Sequence, residues 1–314
     1  MGRKRSKSKA NRSKVAVCFD SGQIGVAEIK YSQTEGPALQ LSVSVPLNST
    51  ENREDALAQL VRQHQLQNKN CVNVLPSDSY QLIQADIGDL PASEKREAAR
   101  WQIRERIDYS PEEAVVDVFE IQSFSGDRKP LTYAVSAQKC ILQKQVQLID
   151  HCDLELDSID IPEFSLRNIC DLYSEDPRGL AILFLLKEKG ILIISREGSL
   201  YLVRTFNTGM DDLTPYADGD YETLTDQLDA IVLEIQRSFD FCESTFLLPT
   251  VSRLLVAQTE QEIPAVVSYL NEYLATQVES FRFPEKFSVP DGLAQLDLNR
   301  NLLAIGGALR QESY

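Results

Sequence analysis

Apolar positions open the chain in short runs. Val15–Cys18, Ile24–Ile29 and Leu39–Val45 are separated by Asp20-Ser21-Gly22 and by further polar residues, the pattern of a β-meander. From Asp55 to Gln67 the apolar residues Leu57, Leu60, Val61 and Leu66 fall at helical spacing, and strand character returns at Cys71–Leu75 and Tyr80–Ile87. Pro91-Ala92-Ser93-Glu94 predicts a helix start with Ser93 as N-cap and Glu94 and Glu97 in the first turn, where the helix dipole favours acids; the helix is expected to end near Pro111. A hairpin over Val115–Gln122 and Leu131–Ser136, turning at Gly126-Asp127, a helix over Gln138–His151 and a strand over Leu154–Ile159 complete the first half.

The polar stretch Ser174 to Gly179 marks a boundary. A second meander follows it, Leu180–Leu186, Ile191–Ser195 and Leu200–Phe206, with turns at Gly190 and Gly198. Leu224 to Phe241 is an amphipathic helix with Leu228, Ile231, Val232, Ile235 and Phe239 on one stripe. Arg253–Ala257 reads as a strand, Pro264–Thr276 as a helix, and Leu302–Arg310 as a closing helix that contains two glycines. Meander, helix, strand and helix thus occur twice, which predicts a duplicated α/β protein with a cleft between its halves.

Composition narrows the function. At 314 residues, 43% hydrophobic and 25% charged, the chain has the make-up of a soluble globular protein with room for two cores. The longest apolar stretch, Leu180 to Ser195, is interrupted by Lys187-Glu188-Lys189-Gly190, so neither a membrane span nor a signal peptide is expected, and the cytoplasm is the expected compartment. The six cysteines, Cys18, Cys71, Cys140, Cys152, Cys170 and Cys242, form no C-x-x-C pair and read as small buried hydrophobes. With His64 and His151 the only histidines, a zinc site or a Ser-His triad has little material, and no metal is expected.

The charge is uneven. Arg3, Lys4, Arg5, Lys7, Lys9, Arg12 and Lys14 make residues 1–14 a basic tail without acids, on a chain whose net charge is −15. Such a tail is read either as a disordered solubilising extension or as a contact for anionic lipid head groups, while the acidic body excludes nucleic acid as its partner.

Four segments in register resemble one known family. They are Val26-Ala27-Glu28-Ile29; Leu90-Pro91 through Arg100-Trp101-Gln102 and Ile107-Asp108-Tyr109-Ser110-Pro111 to Val116-Asp117; Glu234-Ile235-Gln236-Arg237-Ser238-Phe239-Asp240; and Leu303-Ala304-Ile305-Gly306-Gly307-Ala308-Leu309-Arg310. Order and spacing resemble the PilM-like proteins of type IV pilus assembly, and among them the MshI proteins of mannose-sensitive haemagglutinin pilus biogenesis. The resemblance implies an actin-like, FtsA-related fold of two domains with an inserted subdomain. The expected division is a tail at 1–14, a first actin-like domain at 15–89, the inserted subdomain at 90–169, a second domain at 170–300, and a closing helix at 301–314 that returns to the first domain.

The family's fold holds ATP and Mg²⁺ between two hairpin turns, each led by an Asp. In this chain the loops are degenerate. Counting back from Glu28 puts Cys18 at the first Asp, with Asp20 and Gly22 further along the turn and Gly25 where the family has a Lys; one inserted residue would restore Asp20 as the acid. The second acidic triplet corresponds to Phe184-Leu185-Leu186, and the glycine turn that admits the purine corresponds to Gln258-Thr259-Glu260, whose side chains are expected to fill the nucleotide's space. A loss of about 1.5–3 kcal/mol for each charged contact would remove useful affinity, so no cofactor is expected and the chain reads as a pseudo-ATPase.

The resemblance then implies a cytosolic scaffold, peripheral to the inner membrane. Its groove between first domain and inserted subdomain would hold the N-terminal tail of a PilN-like single-span protein beside other pilus biogenesis components. Trp101 is open to two readings, a core anchor of the subdomain or a wall of that groove, which Tyr109 and Pro111 would share. Two alternatives stand beside it. One is a working ATPase using Asp20, for which Glu188 is the only candidate second acid; the other is an unrelated binding module, which a structure without paired, facing hairpins would favour.

Overall fold

The computed structural model describes residues 12–20, 22–32, 36–47, 52–121, 130–173, 178–216 and 221–311. In the first half, strands β1 (Arg12–Asp20), β2 (Gln23–Ser32) and β3 (Gly36–Pro46) form an antiparallel meander, followed by α1 (Arg53–Gln63) and β4 (Asn70–Val74), which lies parallel to β1. The chain continues through β5 (Gln81–Ala85), α2 (Ala92–Gln102), β6 (Ala114–Ile121), β7 (Leu131–Gln138), α3 (Lys139–His151), β8 (Glu155–Asp160) and α4 (Pro162–Cys170). The second half holds β9 (Leu180–Leu185), β10 (Gly190–Arg196), β11 (Ser199–Phe206), α5 (Met210–Leu213), α6 (Tyr221–Phe246), β12 (Arg253–Gln258), α7 (Pro264–Tyr273), β13 (Gln277–Ser280), α8 (Gln295–Arg300) and α9 (Leu302–Ala308).

The duplication read from the pattern is explicit in the sheets. The first runs β3-β2-β1-β4-β8 and the second β11-β10-β9-β12-β13, each an antiparallel meander extended by two parallel crossover strands. The third sheet, β5-β7-β6, is antiparallel. Strand β8, which the sequence division places in the inserted subdomain, pairs with β4 and so completes the first sheet; what stands apart is the unit from Gln81 to Gln138.

Other boundaries also move. Arg12 to Lys14 are not tail: they pair with Tyr31, Lys30 and Ile29, because the β1–β2 ladder continues for as long as β2 offers partners. Lys14 donates to the Arg310 carbonyl at 3.0 Å and lies 3.5 Å from Asp157, which takes it out of the set of free basic residues; Arg3, Lys4, Arg5, Lys7 and Lys9 lie outside the described residues. Helix α2 stops at Gln102 and passes into a short 3-10 turn, and its N-cap is Pro91, not Ser93. The edge strand β13 escapes the pattern because Val278 is its only buried residue. Cys140 is exposed at the start of α3, whereas the other five cysteines are buried.

Helices α4 and α9 lie between the two main sheets and join them. Leu166 and Ile169 of α4 and Leu302, Leu303 and Ile305 of α9 share one apolar core with Ala16 and Val74 of the first sheet and Ile182 and Phe184 of the second. The two helices touch because α9 has no side chain at the crossing: a Cβ on Gly306 would collide with the Ser165 backbone, and one on Gly307 would stand 2.6 Å from Val74 Cγ2. The inserted unit packs Ala99 of α2 and Ile103 of the 3-10 turn after it on one face of its sheet. Its other face lies toward the second domain, where Ile121 joins the core of Tyr201, Leu202 and Leu228, and Phe119 meets Phe164 of α4 edge to face at 4.9 Å. Among the described residues no helix is long and apolar enough to cross a membrane.

Candidate functional site

Two hairpin ends face each other between the sheets. In the first, Cys18 pairs with Gly25 and Asp20 with Gln23, and Gly22 closes the turn at φ +76°. Cys18 is buried, and burial with Asp20 nearby pushes its thiol pKa well up, so it is no nucleophile. In the second, Phe184 is wholly buried, with Leu185 and Leu186 beside it. Its turn is tightened by the Leu186 N–H donating to the Lys189 carbonyl at 2.9 Å. The turn is braced from outside by α5, where the Met210 and Asp211 N–H groups donate to the Leu186 and Lys187 carbonyls, each at 2.8 Å.

The end of β12 is folded inward on itself. The Gln258 side chain accepts from the Ile263 N–H at 3.0 Å, and the Thr259 hydroxyl donates to the Leu185 carbonyl at 2.9 Å. Glu260 departs from expectation: its side chain is exposed, and only its carbonyl is engaged, by Arg300 at 3.3 Å. What sequence reading missed is Arg300 itself and its neighbours. Arg300 Nε donates to the Thr259 carbonyl at 2.9 Å and its own carbonyl accepts from Gln23 Nε2 at 3.0 Å, while Asn301 Nδ2 donates to Val26 and Ser42. The space left among Cys18, Asp20, Gly25, Phe184, Leu186 and Asn301 is about 10 Å³, the room of a single water.

Between the tips of the two turns, where Asp20, Gly22 and Gln23 face Lys187, Glu188 and Lys189, the cleft opens to about 520 Å³, with Arg53 and Asp78 in its wall. Lys189 crosses it to donate to Ser77 Oγ. Glu188 sits exposed on the second turn, away from the strand end where a metal-anchoring carboxylate would be needed. Behind the cleft, Tyr80 donates to buried Glu163 at 2.6 Å, and burial raises the Glu163 pKa above the usual carboxylate range.

On the inserted unit the three partner candidates separate. Trp101 is 48% exposed on α2, with its indole N–H donating to Glu97 at 2.8 Å, so it is not the core anchor of the subdomain. Tyr109 turns the other way, sharing a hydrogen bond of 2.9 Å with Ser136 and packing against the Ile83 and Ala99 core. Pro111 is half-buried at the turn that leads into β6.

The chain matches no family model, and no curated protein matches it either. Solved structures do resemble it. A chain of a PilM–PilN type IV pilus biogenesis complex superposes with a TM-score of 0.72 at 19% identity, covering 96% of this chain and 98% of that one. A Bacteroides thetaiotaomicron protein with an actin-like ATPase fold and unknown function gives a TM-score of 0.51 at 9% identity, over 93% and 95% of the two chains. The chain therefore has an actin-like fold.

The Glu163 site makes a signed prediction. A raised carboxyl pKa in the folded state means that the stabilisation from the protonated form is complete below about pH 4.3 and is lost as pH rises through the folded value. Glu163→Gln, which does not titrate, is expected to gain stability relative to the natural chain as pH rises from 4 to 8 in urea unfolding. A difference that stays constant across that range contradicts the assignment.

Proposed function

We propose that the chain is a scaffold of type IV pilus assembly that holds the cytoplasmic N-terminal segment of a PilN-like inner-membrane protein, and that it does so without binding nucleotide. The observation that carries this reading is the full-length likeness to PilM, a protein solved in complex with PilN, in a chain whose own residues close the space at the strand ends behind the two turns. Phe184 supports the loss of metal binding, because a phenyl ring cannot orient a Mg²⁺-bound water. The inward-folded Gln258 and Thr259 support the loss of the purine site. These departures support the reading that the anchors for Mg²⁺ and for the purine are lost. Within the class, the four sequence segments favour the mannose-sensitive haemagglutinin type of pilus.

The second reading, an ATPase driven by domain closure, draws on Asp20 and the cations Arg53, Lys187 and Lys189 at the mouth of the cleft. It needs a second carboxylate at the position that Phe184 occupies. The groove between first domain and inserted unit is the proposed peptide site, with exposed Trp101 as the side chain best placed to be covered by a partner. Arg3, Lys4, Arg5, Lys7 and Lys9 are proposed to hold the acidic body near the inner leaflet, at about 1 kcal/mol per cation.

Three measurements test this function. Thermal unfolding with the N-terminal peptide of a PilN-like partner is expected to raise the midpoint, and millimolar Mg-ATP to leave it unchanged. Because Trp101 is the only tryptophan, the same peptide is expected to shift its emission to the blue; a midpoint that rises with Mg-ATP alone supports the ATPase instead. Deleting residues 1–11 is expected to abolish salt-sensitive binding to anionic vesicles, and unchanged vesicle binding contradicts the role given to the tail.

A further inference from the structure

Three consecutive residues at the corner between α8 and α9 reach into both domains. Toward the second domain, Asn299 Nδ2 donates to the Gln258 carbonyl at 3.0 Å and Arg300 donates to the Thr259 and Glu260 carbonyls at 2.9 and 3.3 Å, all beyond or at the end of β12. Toward the first, the Arg300 carbonyl accepts from Gln23 at 3.0 Å, and Asn301 Nδ2 donates to the Val26 carbonyl and to Ser42 Oγ, both at 2.9 Å, on β2 and β3. Asn299 and Asn301 are almost wholly buried. Arg300 is pre-aimed by Asp297 one turn earlier on α8, at 3.4 Å.

We propose that Asn299, Arg300 and Asn301 form a built-in interdomain staple that fixes the two sheets in one relative arrangement, taking the bridging place a ligand between the hairpins would have. The inference rests on the reading that this space is filled by the chain itself, and it adds what the filling does. Opening on the second-domain side would strip the Thr259 and Glu260 carbonyls of a charged donor and leave the buried Asn299 amide without its acceptor, and opening on the first-domain side would do the same to Asn301, so the cost falls on the open form in either case. Gly25 is part of the device. A Cβ at that position would run into Asn301 Oδ1, so only glycine lets the asparagine lie flat across β2. The result is a body whose first and second domains keep a constant spacing, which suits a scaffold that must present one surface continuously.

Spin labels on Asp78→Cys and Glu188→Cys, exposed residues on opposite sides of the cleft mouth, report the spacing in a Cys140→Ser background that removes the exposed native thiol. The full chain is expected to give one narrow distance distribution, the same with and without millimolar Mg-ATP. Arg300→Ala combined with Asn301→Ala is expected to broaden that distribution at least twofold and to shift its mean by more than about 2 Å. Should that variant fail to fold, as judged by circular dichroism and cooperative melting, Gly25→Ala displaces Asn301 without deleting a donor and is expected to broaden the distribution in the same way. A narrow, unshifted distribution in the folded variants overturns the staple, as does a natural chain whose distribution is already broad or moves with nucleotide. Nucleotide that binds without altering the distance upholds the staple while defeating the reading of a filled site, so the two failures are distinct.

Discussion

The crossing of α4 and α9 is the constraint on which the rest of the molecule depends. Gly306 lets the backbone of α9 sit directly on Ser165, and Asn168 of α4 donates to the Gly306 carbonyl at 2.9 Å, so the helices lock at a separation no side chain would permit. Because Leu166 and Ile169 of α4 and the apolar run of α9 reach both sheets, the helices turn two sheets that would otherwise be separate cores into one. Phe184 belongs to that shared core although it ends a hairpin in the cleft. A carboxylate there would be charged and buried among aliphatic side chains, at a cost of several kcal/mol without a metal to offset it. The chemistry of the hairpin and the packing of the core are therefore one fact, and a reversion toward an acidic residue would damage both.

Much of the fold was legible because most of its elements carry their own periodicity. The two meanders, the long stripe of Leu228, Ile231, Val232 and Ile235 in α6, and the apolar closing helix each announce themselves locally, and their repetition gives the two matching sheets. Elements whose stability comes from elsewhere were not legible. Strand β13 exists because β12 offers it a parallel partner and α4 begins at a proline before a half-polar segment; β8 was legible as a strand, but its place in the first sheet comes only from its pairing with β4.

The candidate site divides in the same way. The departures at Cys18, Phe184, Gln258 and Thr259 show in the sequence because a family pattern makes them conspicuous, and the structure adds where those side chains turn. Arg300 and Asn301 gave no such signal. They are a polar pair before an apolar helix, and their meaning lies in contacts with residues about forty and more than 250 positions away. Trp101 is the opposite case, a single indole whose sequence context fits either core or groove and whose exposure decides against the core. The inserted unit that carries it is held from both sides, by its own α2 and by the second domain through Ile121 and Phe119.

A structure of the chain grown with a PilN-like N-terminal peptide and a non-hydrolysable Mg-ATP analogue together tests the central claim most directly. Peptide beside Trp101, no nucleotide between the hairpins, and Arg300 still spanning Thr259 and Gln23 are the expected result. Phosphates between the two turns, with Phe184 displaced and the Arg300 contacts broken, would contradict it.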